Sequence, residues 1–301
     1  MGKASRIKQQ SAREKIAAQR EAARKAERRN RIMITVGSTL VVLVIVAAFI
    51  VIKLSQGSPS TAGTTSTAGT LLPASVSSQV TGVPAATLDT VGQGAVPAYL
   101  QAQGYPAFTA GSGAALTSGG KPEMLYIGAE FCPYCAAMRW SMAVALSRFG
   151  TLTPLHGIHS SPTDSFPNTA TLTYYKSGYN SKYLTFTPVE NETVDRAPLQ
   201  NPTAAQNAVW AKYEPNPQAR GYPFIAFSNK LVLKNPIYDP GVLAGKSWSQ
   251  IAAVLHDPAS PITTSVVGAA NYIPGAICKM TNNQPSDVCS SAAVTAVQSG
   301  L

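Results

Sequence analysis

Phe131-Cys132-Pro133-Tyr134-Cys135 stands between an apolar run, Met124-Leu125-Tyr126-Ile127, and a helix-forming run from Ala136 to Phe149. That order reads as a buried strand, a tight turn and a helix, with a thiol pair at the helix N-terminus. The unpaired N–H groups of a helix N-terminus stabilise an anion. A cysteine placed there has a lowered pKa and attacks disulfides as a thiolate. Cys132 is therefore the expected nucleophile, and Pro133 suits the first helical position because it has no N–H to satisfy. Cys135, one turn on, is the expected resolving thiol. A Cys-x-x-Cys pair also builds zinc sites, but zinc needs about four ligands. The remaining cysteines, Cys278 and Cys289, and the three histidines, His156, His159 and His256, show no paired spacing. No metal and no cofactor are expected, and the histidines read as structural.

Downstream, Gly221-Tyr222-Pro223 leads into Phe224-Ile225-Ala226-Phe227, then Ser228-Asn229-Lys230 and Leu231-Val232-Leu233. This is a turn into a buried strand and a hairpin. A Gly-x-Pro just before a strand resembles the cis-proline segment of the thioredoxin superfamily, and Ala129-Glu130-Phe131-Cys132 resembles the corresponding run before its first cysteine. The resemblance implies an α/β, thioredoxin-like fold. It implies that Pro223 lies opposite the cysteines and shapes a substrate groove with Tyr222, Pro133 and Tyr134 beside it. The plainer alternative is an ordinary trans proline at a strand start. Counting back from Cys132, the position of that superfamily's buried carboxylate is Tyr126. Glu130 reads as a surface carboxylate in preference to a proton-transfer group. Arg139 reads as paired or exposed, with support of the thiolate as the sharper option, and Trp140 reads as core.

The core elements expected around the motif are a strand at 124–128, a helix at 132–149, a second strand at 152–158, the hairpin at 223–227 and 231–234, and a closing helix at 247–256 capped by Ser247. An insertion at about 160–220 precedes the proline strand. Within it, 169–175 and 183–188 alternate like strands and 204–213 reads as a helix. A helix at 88–103 precedes the core and one at 288–297 follows it. Cys278 and Cys289, separated by a turn-like segment with Asn282, Asn283 and Pro285, are expected to form a structural disulfide. A second redox pair is the alternative.

Charge is concentrated at the N-terminus. Residues 1–31 hold eleven Lys/Arg and three Glu, a net +8, whereas the other 270 residues hold 13 basic and 11 acidic side chains. Ile32 to Ile52 is 21 uncharged residues, enough at 1.5 Å per residue to cross about 30 Å of hydrocarbon. It is longer than a cleaved signal core of roughly 7–15 residues. The basic block before it places the N-terminus in the cytoplasm and the rest outside the cell membrane. The expected domains are a basic cytoplasmic helix (1–31), a transmembrane signal anchor (32–52), a flexible Ser/Thr/Gly/Pro-rich linker (53–86) and an extracytoplasmic domain (87–301). The basic helix suits anionic lipid. It has no interleaved aromatics, and no nucleic-acid partner is expected. All four cysteines fall on the exported side, which favours disulfides over metal thiolates.

Tyr126-Ile127-Gly128-Ala129-Glu130 through Cys135, Arg139-Trp140, Ser147-Arg148-Phe149-Gly150, Ser181-Lys182-Tyr183 with Glu190, and Ile277-Cys278 with Val288-Cys289 together resemble a family of actinobacterial and archaeal membrane-anchored proteins, domain-of-unknown-function family 929. The expected function is a membrane-tethered, extracytoplasmic thiol–disulfide oxidoreductase that forms or isomerises disulfides in exported proteins through Cys132-Pro133-Tyr134-Cys135. Its partners would be exported cysteine-containing proteins and a membrane redox partner. The competing expectation is a non-catalytic interaction module with a permanent disulfide in the Cys132–Cys135 pair. Copper handling lacks the usual Met or His companions and ranks last.

Overall fold

The computed structural model of the chain describes residues 69–301. The expected basic helix, the transmembrane anchor and residues 53–68 of the expected linker lie outside the described residues. Among the described residues no helix is long and apolar enough to cross a membrane.

The strands are β1 (Thr70–Leu71), β2 (Thr109–Ala110), β3 (Thr117–Ser118), β4 (Lys121–Gly128), β5 (Gly150–Thr153), β6 (His156–His159), β7 (Ala170–Thr173), β8 (Gly178–Ser181), β9 (Thr185–Glu190), β10 (Phe224–Phe227) and β11 (Leu231–Leu233). The helices are α1 (Ala74–Thr81), α2 (Ala85–Val91), α3 (Val96–Gln103), α4 (Pro133–Ser147), α5 (Ala204–Tyr213), α6 (Trp248–Val254), α7 (Pro261–Met280), α8 (Ser286–Cys289) and α9 (Ala292–Gln298).

The main sheet is mixed. β4 pairs in parallel with β9 on one side, Met124 opposite Phe186 and Ile127 opposite Val189. On its other side it pairs antiparallel with β10, which continues to β11 and β2. Alternation along β4 and β10 divides the core into two layers. Met124, Tyr126, Ile225 and Phe227 pack into the large cluster that holds α4 and α7. Leu125, Ile127, Phe224 and Ala226 pack under Trp210 of α5.

The segment expected as the second core strand, 152–158, is not beside β4. Pro154 interrupts it, and its halves join different sheets: β5 pairs with β8, and β6 lies between β1 and β7. The strand that flanks β4 is β9, drawn from the segment expected to be an insertion. Its Pro188 lacks a ladder donor, which suits an edge strand. The expected linker also ends earlier than residue 86. β1, α1 and the start of α2 lie within it, because Leu72, Val76 and Val80 supply a spaced apolar face that is buried in the core. The helix expected at 88–103 is two helices. They are separated by a turn in which Gly92 and Gly94 have positive φ, and Pro97 sits in the first turn of the second.

Helix α7 runs unbroken for 20 residues and packs against α4, where Ser141 Oγ donates to Val266 O at 2.8 Å. Gly94 and Gly268 permit the close approach of α7 to the α2–α3 turn; a Cβ on Gly268 would stand 2.7 Å from Gln93 O. Cys278 and Cys289 are disulfide-bonded across a sequence separation of 11, joining α7 to α8. Replacing both with serine is expected to cost about 2–3 kcal/mol on loop-closure grounds. Thermal melts of the parent and the double variant, each with and without reductant, measure this; equal stabilities would contradict it.

Candidate functional site

The turn after β4 delivers Cys132 to the N-cap of α4, where its sulfur accepts the N–H of Cys135 at 3.3 Å. Pro133 occupies the first helical turn, as its missing N–H favours. Both thiols are free; Cys132 is 4 % exposed and Cys135 fully buried. The two differ in acidity. A hydrogen bond from the Cys135 thiol lowers the Cys132 pKa, helped by the Cys135 backbone N–H and the Arg139 charge, against the opposing effect of burial. Burial pushes the Cys135 thiol well up, and its neighbour Cys132 pushes the same way. The outer sulfur is the one prepared to ionise.

Across from the pair runs the segment entering β10. The Tyr222–Pro223 peptide is cis, and the Tyr222 carbonyl lies 3.7 Å from Cys132 Sγ. The Tyr222 hydroxyl donates to Glu192 Oε1 at 3.0 Å and accepts from Asn191 Nδ2 at 2.6 Å. Its ring packs edge-on to Phe131 and tilted against Trp210. Tyr134 is half-buried and meets Phe166 edge-on. A cleft of about 500 Å³ opens onto Cys132, bordered by Tyr134, Asp164, Glu192, Arg196 and Tyr222. Arg196 bonds to Asp164 at 2.8 Å and lies 3.7 Å over the Phe131 ring. The cleft thus offers aromatic faces and balanced charge beside one sulfur. Cys132, Cys135, Pro133, Tyr134, Tyr222 and Pro223 come together here; Cys278 and Cys289 belong to the α7–α8 junction and do not reach the site.

Two residues beside the motif differ from expectation or sharpen it. Glu130, expected at the surface, is buried and accepts a 2.6 Å hydrogen bond from Thr173 Oγ1. Desolvation raises its carboxyl above the usual range. The strand β7 that supplies Thr173 covers it, and no local sequence signal marks that contact. Arg139 is fully buried. Its Nε and Nη2 bond to the two Glu190 oxygens at 2.9 and 2.6 Å, and Nη2 also bonds to Ala129 O at 2.7 Å. The guanidinium therefore clamps the end of β9 to the turn that carries Cys132. Asp164, Glu192 and Arg196 escaped sequence reasoning, being scattered polar residues in loop-like stretches. Among the histidines, His159 packs against Trp248 and His256 bonds to Gln79 O.

Residues 108–279 match the family described as domain of unknown function, DUF929. The chain belongs to the DUF929 family. No curated protein and no solved structure matches it. The matched stretch of the DUF929 domain contains β4, the thiol pair, β9, the Tyr222–Pro223 segment and α7 up to Cys278, so every part of the cleft lies within it.

Proposed function

We propose that this DUF929 protein is a thiol–disulfide oxidoreductase of thioredoxin-like build. The observation that carries the reading is the asymmetric thiol pair at the N-terminus of α4. Cys132 is favoured as thiolate at the mouth of a cleft, and Cys135 is held as thiol behind it. The strand order β9–β4–β10–β11, with α4 following β4 and a proline entering β10, supports the thioredoxin-like part.

In the reducing direction the Cys132 thiolate attacks a substrate disulfide and forms a mixed disulfide, releasing one substrate thiolate. Cys135 then attacks Cys132 Sγ, closing the Cys132–Cys135 bond and releasing the second thiolate. In the oxidising direction the same steps run backward from the closed pair. The Tyr222 carbonyl and cis-Pro223 border the place where a substrate backbone would lie. The uncharged span Ile32–Ile52 and the basic block before it support a membrane-tethered, extracytoplasmic setting. There the substrates are exported cysteine-containing proteins, a membrane partner renews the pair, and the basic N-terminus meets anionic lipid.

The test is trapping. With Cys135→Ser in cells, mixed disulfides between Cys132 and other proteins should accumulate and vanish on reduction. The Cys132→Ser, Cys135→Ser double variant should accumulate none. Absence of adducts on Cys135→Ser, with the protein expressed and folded, would leave the pair as a structural feature.

A further inference from the structure

Two donors behind the thiol pair have no hydrogen-bond partner among the described residues. The Tyr126 side chain is fully buried on β4 and its hydroxyl makes no hydrogen bond. Arg139 spends Nε and Nη2 on Glu190 and Ala129, while Nη1 is buried and unpaired. Buried donors are rarely left this way, because the loss of water is uncompensated. Both orphans feel the charge of one thiol, Cys135. Arg139 follows Cys135 by four residues on α4, and helical side chains lean toward the N-terminus, so its guanidinium lies under the preceding turn. Tyr126 and Gly128 share one face of β4, and a Cβ on Gly128 would fall 2.0 Å from the Tyr126 hydroxyl. The glycine leaves the room that the hydroxyl occupies. Burial pushes the Tyr126 hydroxyl well above its ordinary pKa, Arg139 opposes this, and the Cys135 thiol adds to the rise.

We infer that Tyr126 O–H and Arg139 Nη1–H are the donors that stabilise Cys135 as a thiolate during resolution of the mixed disulfide, an inference that rests on the oxidoreductase reading. In that step Cys135 loses its proton and its sulfur attacks Cys132 Sγ. The Cys132–Cys135 bond forms and the Cys132–substrate bond breaks. The departing substrate sulfur keeps the electron pair of the broken bond and takes up a proton in place of the one Cys135 released. The protein pair is oxidised and the substrate sulfur reduced. The other ionisable groups around Cys135 are Cys132 on the same helix, Tyr222 at the entry to β10, Glu130 in the turn and Glu190, which is neutralised by Arg139. None of these is a free donor aimed at Cys135, so Tyr126 and Arg139 carry the role. Tyr126 acts through Cys135 and is a positioning residue.

The experiment mixes the reduced full-length chain in detergent with oxidised glutathione and follows two steps by mass spectrometry across pH. Tyr126→Phe should leave formation of the Cys132–glutathione adduct unchanged and slow its resolution by about tenfold, the size expected for a hydrogen bond to a charged group. In a Cys132→Ser background, the ¹³Cβ titration of labelled Cys135 should shift upward by about one pH unit in the same comparison. The variant removes only an unpaired hydroxyl, so its melting temperature should hold or rise. Resolution and titration both unchanged would overturn the inference and leave the oxidoreductase reading intact. No glutathione adduct on Cys132 in either protein would instead remove the oxidoreductase reading; an upward Cys135 titration shift in Tyr126→Phe would then still support the donor assignment, and its absence would overturn that too.

Discussion

Replacing Cys132 with serine is expected to lower thiol–disulfide exchange by on the order of a thousandfold or more, to the uncatalysed background, because the nucleophile forms the covalent intermediate. Serine at the N-cap still accepts the helix N–H, so the fold is retained, but its hydroxyl does not ionise near neutral pH. Cys135 cannot substitute: it is fully buried and its thiol is pushed up by desolvation. In the unaltered protein, alkylation of Cys132 should rise with pH and level off below the ordinary thiol value of about 8.5. The direction follows from the lowered Cys132 pKa, since the thiolate is the reactive form. Removing the Cys135 side-chain donor by Cys135→Ala withdraws the largest cause of that lowering and should move the profile back up. The same lowering links to stability. Ionised Cys132 stabilises the fold above the ordinary thiol pKa, and that contribution is lost as pH falls through the lowered folded value. An alkylation profile centred on the ordinary thiol value would contradict the assignment of Cys132 as the activated sulfur.

Glu190→Ala is expected to destabilise the domain by about 3–5 kcal/mol, since it leaves the buried Arg139 charge without its partner. At roughly 2–4 °C per kcal/mol for a domain of this size, the melting temperature should fall by about 6–20 °C. Both side chains have no exposed surface and meet at 2.6 Å, so the screening that weakens surface pairs does not apply. Tyr174 N also donates to Glu190 Oε1 at 3.1 Å, and its hydroxyl donates to Arg139 O at 2.8 Å, so one substitution loosens β7, β9 and α4 together. Replacing Arg139 and Glu190 jointly with apolar residues should recover much of the loss. A fall of less than about 1 kcal/mol in Glu190→Ala would put the pair among ordinary surface contacts.

The thiol motif, β4, α4, the β10–β11 hairpin and the Ser247-capped helix α6 were legible because each is a local pattern. An apolar run, a cap residue or a turn residue marks each within a few positions. The helix at 204–213 was legible for the same reason: Thr203 and Gln206 form a capping box. Strand β9 was legible as a strand from the alternation over 183–188, but its place beside β4 was not, because nothing local names a pairing partner; at the sheet edge its Pro188 is acceptable. Helix α7 was not legible as a helix. Its Thr, Val, Gly and Pro residues are weak helix formers, and it is buried on nearly all sides, which erases the 3.6-residue alternation of an amphipathic helix. In the site, Cys132 and Cys135 were visible from spacing, and Tyr222 and Pro223 from the resemblance of the Gly-x-Pro segment to a known cis-proline turn. The Arg139–Glu190 clamp and the Thr173–Glu130 contact were not, since each joins side chains 51 or 43 positions apart, and no local pattern encodes such a partner.

The covering of α4 by α7 has a consequence for the order in which the chain acquires its properties. Every residue from Cys135 to Leu146 is buried, yet the helix that covers one side of α4 ends only at Met280, and the strand that supplies Glu190 lies far behind the motif. Such distant pairings form late, after the entropy of closing long loops has been met. While the chain is still being made, Cys132 and Cys135 are therefore two ordinary, similar thiols in water. The difference between them, one thiolate-prone and one withheld, is a property of the finished polypeptide, acquired when its last quarter is in place.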